Sequence, residues 1–399
     1  MKISLATNFD DELIEKIKEY PIYELYGKLN IDIVGGGRPT NYLKELDIKK
    51  FESHVEKVRS CGFNFNYLLN SACIANYNQD EEWIKNLINF LSYLKSIKVN
   101  ALTISNPFLV DLVKQNFGND FIIRVGSFAC VDNYEKAKFW DQMGVNIICV
   151  DFCKVNRNFK MLKYMVNNLN CKIELLCTNS CLKDCPMIHT HVNDIAHASN
   201  SKFDGYKYED WGLNFCQEYQ LNNLHEYIKS PWIRPEDIEY YEKIGIEHFK
   251  ITERDFSTDE LVKRVKAYCE KKYSGNLLDL IQGSGASAIK NTTLEKKNKF
   301  NNRYDVLKEI QRIRGIGCLR EADRHIYIDN EKIPYNFIEF FFNDKCTGMC
   351  DKCNYCKKIS DKAIIPNEKI CSYLKKLYKE FNERKFKDIK RGQIWFVLW

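Results

Sequence analysis

No apolar run in this chain approaches the length needed to span a bilayer, and the opening Met-Lys-Ile-Ser-Leu-Ala-Thr lacks a signal-peptide layout. Both absences point to the cytoplasm and to no membrane partner. No long disordered tract is evident. A Gly-x-Ser-x-Gly elbow and a His-Glu-x-x-His helix are missing too, which removes two familiar hydrolase signatures. The first strand–helix turn lacks the spaced glycines of a dinucleotide fold.

What is abundant is cysteine: 17 in 399 residues. In a reducing compartment disulfides are disfavoured, and clustered cysteines more often hold metal. Scattered ones such as Cys61, Cys149 and Cys269 sit in apolar periodic segments and read as small core residues. The net charge of +6 is uneven, because residues 357–399 carry 12 Lys/Arg against 5 Asp/Glu. That basic tail suits an anionic partner such as RNA, or simply a solvated Lys-rich helix.

Strand-like and helix-like segments alternate through the first 275 residues. Strands are expected at 2–6, 22–26, 64–69, 101–104, 121–125, 146–150, 172–176 and 248–251. A helix falls between successive strands and after the last. Eight such units in some 250 residues predict an α/β fold, a (β/α)8 TIM-type barrel over 1–282. Residues 283–300 read as a linker and 301–399 as a small C-terminal α+β domain with a four-cysteine metal cluster. In such a barrel, chemistry sits at the C-terminal ends of the strands. There the sequence offers Asn70, Asp151, Glu253 and Arg254, with Arg38 in the Gly35-Gly36-Gly37 loop after strand two.

The same face receives Cys177, Cys181 and Cys185, with Cys216 downstream and Cys73 in reserve after strand three. Soft thiolates at this spacing suit an iron–sulfur cubane, which needs several ligands about one core; zinc is the alternative. Of the nearby histidines, His191 is the candidate acid–base group. A second set, Cys346, Cys350, Cys353 and Cys356, packs four thiols into eleven residues and predicts a further iron–sulfur cluster or a zinc knuckle. It contains the Cys-x3-Cys-x2-Cys spacing of radical S-adenosylmethionine enzymes. That motif opens their barrels, however, and here only 43 residues follow Cys356.

The run Phe65-Asn66-Tyr67-Leu68-Leu69-Asn70, then Cys181-Leu-Lys-Asp-Cys185-Pro with His191, resembles the collagenase-like peptidase family (U-32). So do Trp232-Ile-Arg-Pro-Glu-Asp and Phe249-Lys-Ile-Thr-Glu-Arg. The resemblance covers most of residues 1–282, and the tail cluster is similar to one in a poorly characterised branch. It implies a (β/α)8 barrel, and a kinship with iron–sulfur proteins of oxygen-independent hydroxylation of a quinone ring or of RNA pyrimidines. It implies Cys181, Cys185 and Cys216 as ligands of a 4Fe-4S cluster. The RNA-modifying branch carries a Glu and a His-Gly before its first cysteine, where this chain has Ile173-Glu174-Leu175-Leu176-Cys177.

The expectation is therefore an iron–sulfur enzyme acting on a small molecule, peptide or nucleobase, served by an electron donor protein. The alternatives are a peptidase, as the family name suggests, and a non-catalytic RNA- or partner-binding module.

Overall fold

The computed structural model describes residues 1–40, 43, 45–199, 209–281, 300–319 and 321–384. Eight parallel strands close into a barrel: β1 (Lys2–Ala6), β2 (Ile22–Gly27), β3 (Asn64–Leu69), β4 (Ala101–Ile104), β5 (Ile122–Val125), β6 (Ile147–Cys149), β7 (Lys172–Leu176) and β8 (His248–Ile251). Each strand pairs with the next, and β1 closes on β8 with Ile3 opposite Phe249 and Leu5 opposite Ile251. The (β/α)8 expectation holds.

Six helices fill the first gaps: α1 (Asp11–Ile17), α2 (Ile48–Ser60), α3 (Glu81–Ser96), α4 (Pro107–Phe117), α5 (Tyr134–Gln142) and α6 (Phe159–Asn168). Every one starts on an Asp or Asn whose side chain accepts a backbone N–H of the first turn: Asp10, Asp47, Asp80, Asn106, Asn133 and Asn158. Between β7 and β8 the chain makes α7 (Ile188–Ala198), α8 (Trp211–Asn222), α9 (Glu226–Lys229) and α10 (Ile238–Glu242). The helix expected from Pro235 opens instead as a 3-10 turn over Pro235–Asp237. After β8 come α11 (Thr258–Glu270) and α12 (Leu278–Ile281).

Strand parity sorts the side chains. Ile3, Leu5, Phe65, Ile123, Leu175 and Phe249 face the helices and build one apolar core. The inner face carries charge. Arg124 donates to Glu24 Oε2 at 2.9 Å and also pairs with Glu174, which accepts from Ser4 Oγ at 2.7 Å. Asn66 donates to Glu24 Oε1 at 2.8 Å and accepts from Thr103 at 3.0 Å. Burial pushes the Glu24 carboxyl up; Glu174 is held below its ordinary range because Arg124 and Lys250 outweigh its burial. A buried ion network thus fills the inside of the barrel.

The expected linker lies outside the described residues except for Phe300. Beyond it come α13 (Arg303–Leu319), β9 (Ile326–Ile328), α14 (Glu339–Phe342), α15 (Cys350–Cys353), α16 (Tyr355–Ala363), β10 (Ile364–Pro366) and α17 (Glu368–Arg384). The antiparallel pair β9–β10, with Ile328 opposite Ile364, was not foreseen. These elements share the barrel's apolar core, with Phe337 stacked on Trp232 at 5.6 Å. Arg234 reaches across to the carbonyls of Ile333 and Pro334. Among the described residues no helix is long and apolar enough to cross a membrane.

Candidate metal centre

Three segments deliver thiols to the barrel mouth. The turn after β6 holds Cys153, whose N–H donates to Asp151 Oδ1 at 2.8 Å. The loop after β7 holds Cys181 and Cys185. It is tied down by Asn179 Oδ1, which accepts the Cys181 N–H at 2.6 Å, and by the Asp184 N–H, which donates to Cys153 O at 3.1 Å. Helix α8 presents Cys216, and its Gln220 donates to Ser180 O at 2.7 Å. Cys153, Cys181 and Cys185 pack against one apolar cluster, and Cys153, Cys185 and Cys216 lie within electrostatic reach of Cys181. Cys130, Cys149, Phe152 and Leu176 floor the group with apolar surface.

The electrostatics are uneven. Cys181 is pushed below the ordinary thiol range by the Cys153 hydrogen bond, helped by His191 and Asn179. Cys153 is pushed up by that same bond and by burial; burial does the same to Cys185 and Cys216. The pocket thus favours the thiolate form more at Cys181 than at its neighbours. A cationic centre would remove that difference, because thiols bound to metal are deprotonated outright. Among the described residues no three His, Cys, Asp or Glu side chains stand close enough to hold a single ion. A cubane, whose corners are spread over several irons, holds its thiolates farther apart than one tetrahedral ion does.

Cys177 is not with this group. It continues the outward parity of Ile173 and Leu175 and lies fully buried under the helices, near Tyr241 and Tyr268. Its thiol points back to Leu175 O at 3.7 Å. This period-two alternation sets Cys177 apart from the mouth thiols with which it was expected, and Cys153 stands among them instead. Sequence reasoning passed over Cys153, although it lies just beyond a strand end on the catalytic face. Cys73 stays on the β3 loop, its sulfur accepting from the Ala75 N–H at 3.3 Å. Asp151, expected in the pocket, belongs to the thiol turn, and burial pushes its carboxyl up.

His191, on α7, lies 2.8 Å from Asp210 Oδ1. Burial pulls its ring down, but Asp210 and Cys181 outweigh that and hold it above the ordinary range. Gly212 packs against it; an added Cβ would meet His191 Cγ at 2.9 Å. His189 and His197 are exposed.

Opposite the thiols the mouth is ionic. Arg38 pairs with Glu253, with Arg254 beside them. Glu253 is held at φ 93°, a conformation costing a non-glycine residue about 1–3 kcal/mol. Buried Lys28 pairs with Asp32 at 2.9 Å, and Asp32 also accepts the Tyr67 hydroxyl at 2.7 Å. These residues escaped the sequence reading. The glycine loop lies over Asn70: a Cβ on Gly36 would meet Asn70 Oδ1 at 3.1 Å, and one on Gly37 would meet Phe128 at 2.7 Å. Ser199, at the end of α7, accepts the Gly36 N–H at 2.7 Å. Asn70 Oδ1 and Ser105 Oγ are buried without a hydrogen-bond partner among the described residues. The expected residues Arg38, Asn70, Glu253 and Arg254 therefore share one side of the mouth.

A hydrolase-like chain also exists. Asp11 Oδ1 lies 2.6 Å from His54 Nδ1, and His54 Nε2 lies 2.7 Å from Thr7 Oγ1. Thr7 is fully buried, however, and its oxygen also accepts the Phe9 N–H at 3.1 Å. A nucleophile must reach its substrate; this chain instead fastens α1 and α2 to β1.

The second thiol set lies on the C-terminal elements. Cys350 and Cys353 flank the single turn of α15, Asn354 reverses the chain at φ 53°, and Cys356 enters α16. Cys356, pushed up to about 11 by burial, interacts with Cys346, Cys350 and Cys353 and with Arg157. Tyr355 stacks on Phe340 at 4.0 Å and anchors the loop.

The model of peptidase family U32 matches residues 41–304. An uncharacterized protease of Methanocaldococcus jannaschii is 28% identical over 333 residues, which cover 84% of this chain and 86% of that one. The solved structure of the U32 peptidase Mk0906 superposes with a TM-score of 0.46 at 16% identity, over 63% of this chain and 92% of that one. A chitinase from Rhizomucor miehei superposes with a TM-score of 0.38 at 11% identity, over 68% of this chain and 100% of that one.

Proposed function

The chain belongs to peptidase family U32, and we propose that it is an iron–sulfur enzyme whose cluster is held by Cys153, Cys181, Cys185 and Cys216. The observation that carries this reading is the convergence of thiols from three segments at the mouth: Cys153, Cys181 and Cys185 pack on one apolar floor, and the helix of Cys216 is tied to the Cys181 loop through Gln220. When bound, a 4Fe-4S cluster supplies one-electron chemistry beside the substrate.

The residues of the chain do the rest. Arg38 and Arg254 offer positive charge to an anionic or carbonyl group, and Glu253 holds the Arg38 guanidinium in place. Asn70 and Ser105 offer a carbonyl and a hydroxyl oxygen that lack partners. The glycine loop limits access of water over this side. His191, biased toward its protonated form by Asp210, stands ready to hold or release a proton next to Cys181. The reaction class we assign is oxygen-independent hydroxylation, or a related redox modification, of a small molecule, peptide or nucleobase. Peptide hydrolysis, which the family description favours, ranks second because Thr7 and His54 of the Asp11–His54–Thr7 chain are buried.

Anaerobic iron and sulfide analysis tests the assignment. Wild type and Cys177→Ala should carry the same iron at the mouth. Cys153→Ala and Cys181→Ala should lose it. Loss of iron in Cys177→Ala but not in Cys153→Ala would sink this ligand set.

A further inference from the structure

We propose that the Cys346–Cys356 segment holds a second iron–sulfur cluster serving as the electron inlet to the mouth, and that a small acidic one-electron carrier protein docks over it. The inference rests on the mouth cluster proposed above.

Three observations carry it. First, the two thiol segments face one space. A cavity of about 330 Å³ is lined by Lys183 and Asp184, which lie between Cys181 and Cys185, and by Met349, Cys350 and Lys352 of the second set, with Lys229 between. Tunnelling falls steeply with separation, so two centres across a single cavity make a relay.

Second, the material between the sites is rigid. Arg157 lies four residues past Cys153 and beside Cys356. It is buried against Trp232 at 4.3 Å, Phe337 at 4.9 Å and Phe341 at 5.1 Å, and it donates to the carbonyls of Ile228 and Trp232. A fixed spacing with little reorganisation is what a relay needs.

Third, the outer side suits a docking protein. Cys346, Cys350 and Cys353 are half-buried, as are Cys181 and Cys185, whereas Cys153 and Cys216 are buried. Around them Lys345, Lys352, Lys357 and Lys358 are exposed and have no carboxylate partner among the described residues, and Met349 is 55% exposed. Residues 344–358 carry these four lysines against Asp344 and Asp351, a net of +2, and that excess favours an acidic partner. Electron-transfer contacts are small and governed by charge-steered encounter. Cys346, Cys350, Cys353 and Cys356 would hold a group able to accept one electron from the carrier and pass one electron on to the group held at the mouth, so that each electron the carrier loses is balanced there. No bond or proton changes hands at the inlet.

The test uses the anaerobically purified full chain, mixed rapidly with a pre-reduced acidic ferredoxin or with dithionite, and followed by absorbance and electron paramagnetic resonance. Cys350→Ala should lose the second cluster's signal and keep the mouth signal. Its reduction by ferredoxin should slow about tenfold or more, while the dithionite rate stays. The triple variant Lys352→Glu/Lys357→Glu/Lys358→Glu should keep both signals, slow only the ferredoxin reaction by about tenfold, and lose its salt dependence. This exposed variant decides the matter if Cys350→Ala fails to fold. Zinc at the second site with iron at the mouth would overturn the relay alone. So would an unchanged ferredoxin rate in the triple variant, including the case where those lysines bind RNA instead. Absence of iron from the mouth of the wild type would overturn the function proposed above, and the relay with it.

Discussion

His248 in β8 keeps an unpartnered Nδ1 inside the fold, edge-on to Tyr23 at 4.9 Å. Burial holds its pKa at about 4, below the ordinary 6.5. On acidification the unfolded chain takes up this proton first. The stability tied to a neutral His248 is thus complete above pH 6.5 and is lost as pH falls toward 4, by at most about 3 kcal/mol. His54 and His325 are pushed the same way by burial. Urea midpoints measured from pH 7.5 to 4.5 should fall steeply for wild type and less steeply for His248→Gln. Equal slopes would refute the assignment. At this scale the sequence was readable where spacing spoke and silent where parity did. Cys181, Cys185 and Cys216 were visible as a group. Cys177 looked like their fourth member because a strand's last residue can be assigned to either face, and only the register with β8 places it outside. Cys153 hid because a lone cysteine in apolar surroundings resembles Cys149.

Among the elements, the glycine loop is the least tolerant. A Cβ on Gly37 would meet the Phe128 ring at 2.7 Å and Asn70 Nδ2 at 2.9 Å. Gly37→Ala should therefore destabilise by about 1–3 kcal/mol through overpacking, read as a lower urea midpoint. Gly62→Ala, with open space at its Cβ but φ 84°, should cost less than that, about 1 kcal/mol. The reverse order would show that the loop lifts away from the mouth. All eight strands, and a helix between successive strands, were legible from the alternation of strand-like and helix-like segments. The segments after β7 were not. α7 and α8 carry cysteines, histidines and aromatics that blur any apolar stripe, and the turn at Pro235 needs Asp237 to clasp Arg234 at 2.8 Å.

For the whole molecule, the residues after 300 behave as part of the barrel's wall. Phe337 covers Trp232 and Arg157, and Arg234 finds its acceptors on that added layer. A chain ending at residue 281 would uncover Trp232 and Arg157 and leave Arg234 with Asp237 but without its carbonyl acceptors. It should aggregate or lose its cooperative melt, as read by gel filtration and calorimetry. A soluble, cooperatively folding fragment would instead support the independent small domain that the sequence suggested. The shared core was hidden from the sequence because an apolar face says that it is covered and not by what.

Cys61 closes α2 at the end of the barrel away from the mouth and, among the described cysteines, is the exposed one. It is therefore the thiol that air or a maleimide meets first. Chains that pair into disulfide dimers on the bench would join there, back to back, with both mouths still open. A dye placed on Cys61 would report tumbling and assembly from a point far from the chemistry.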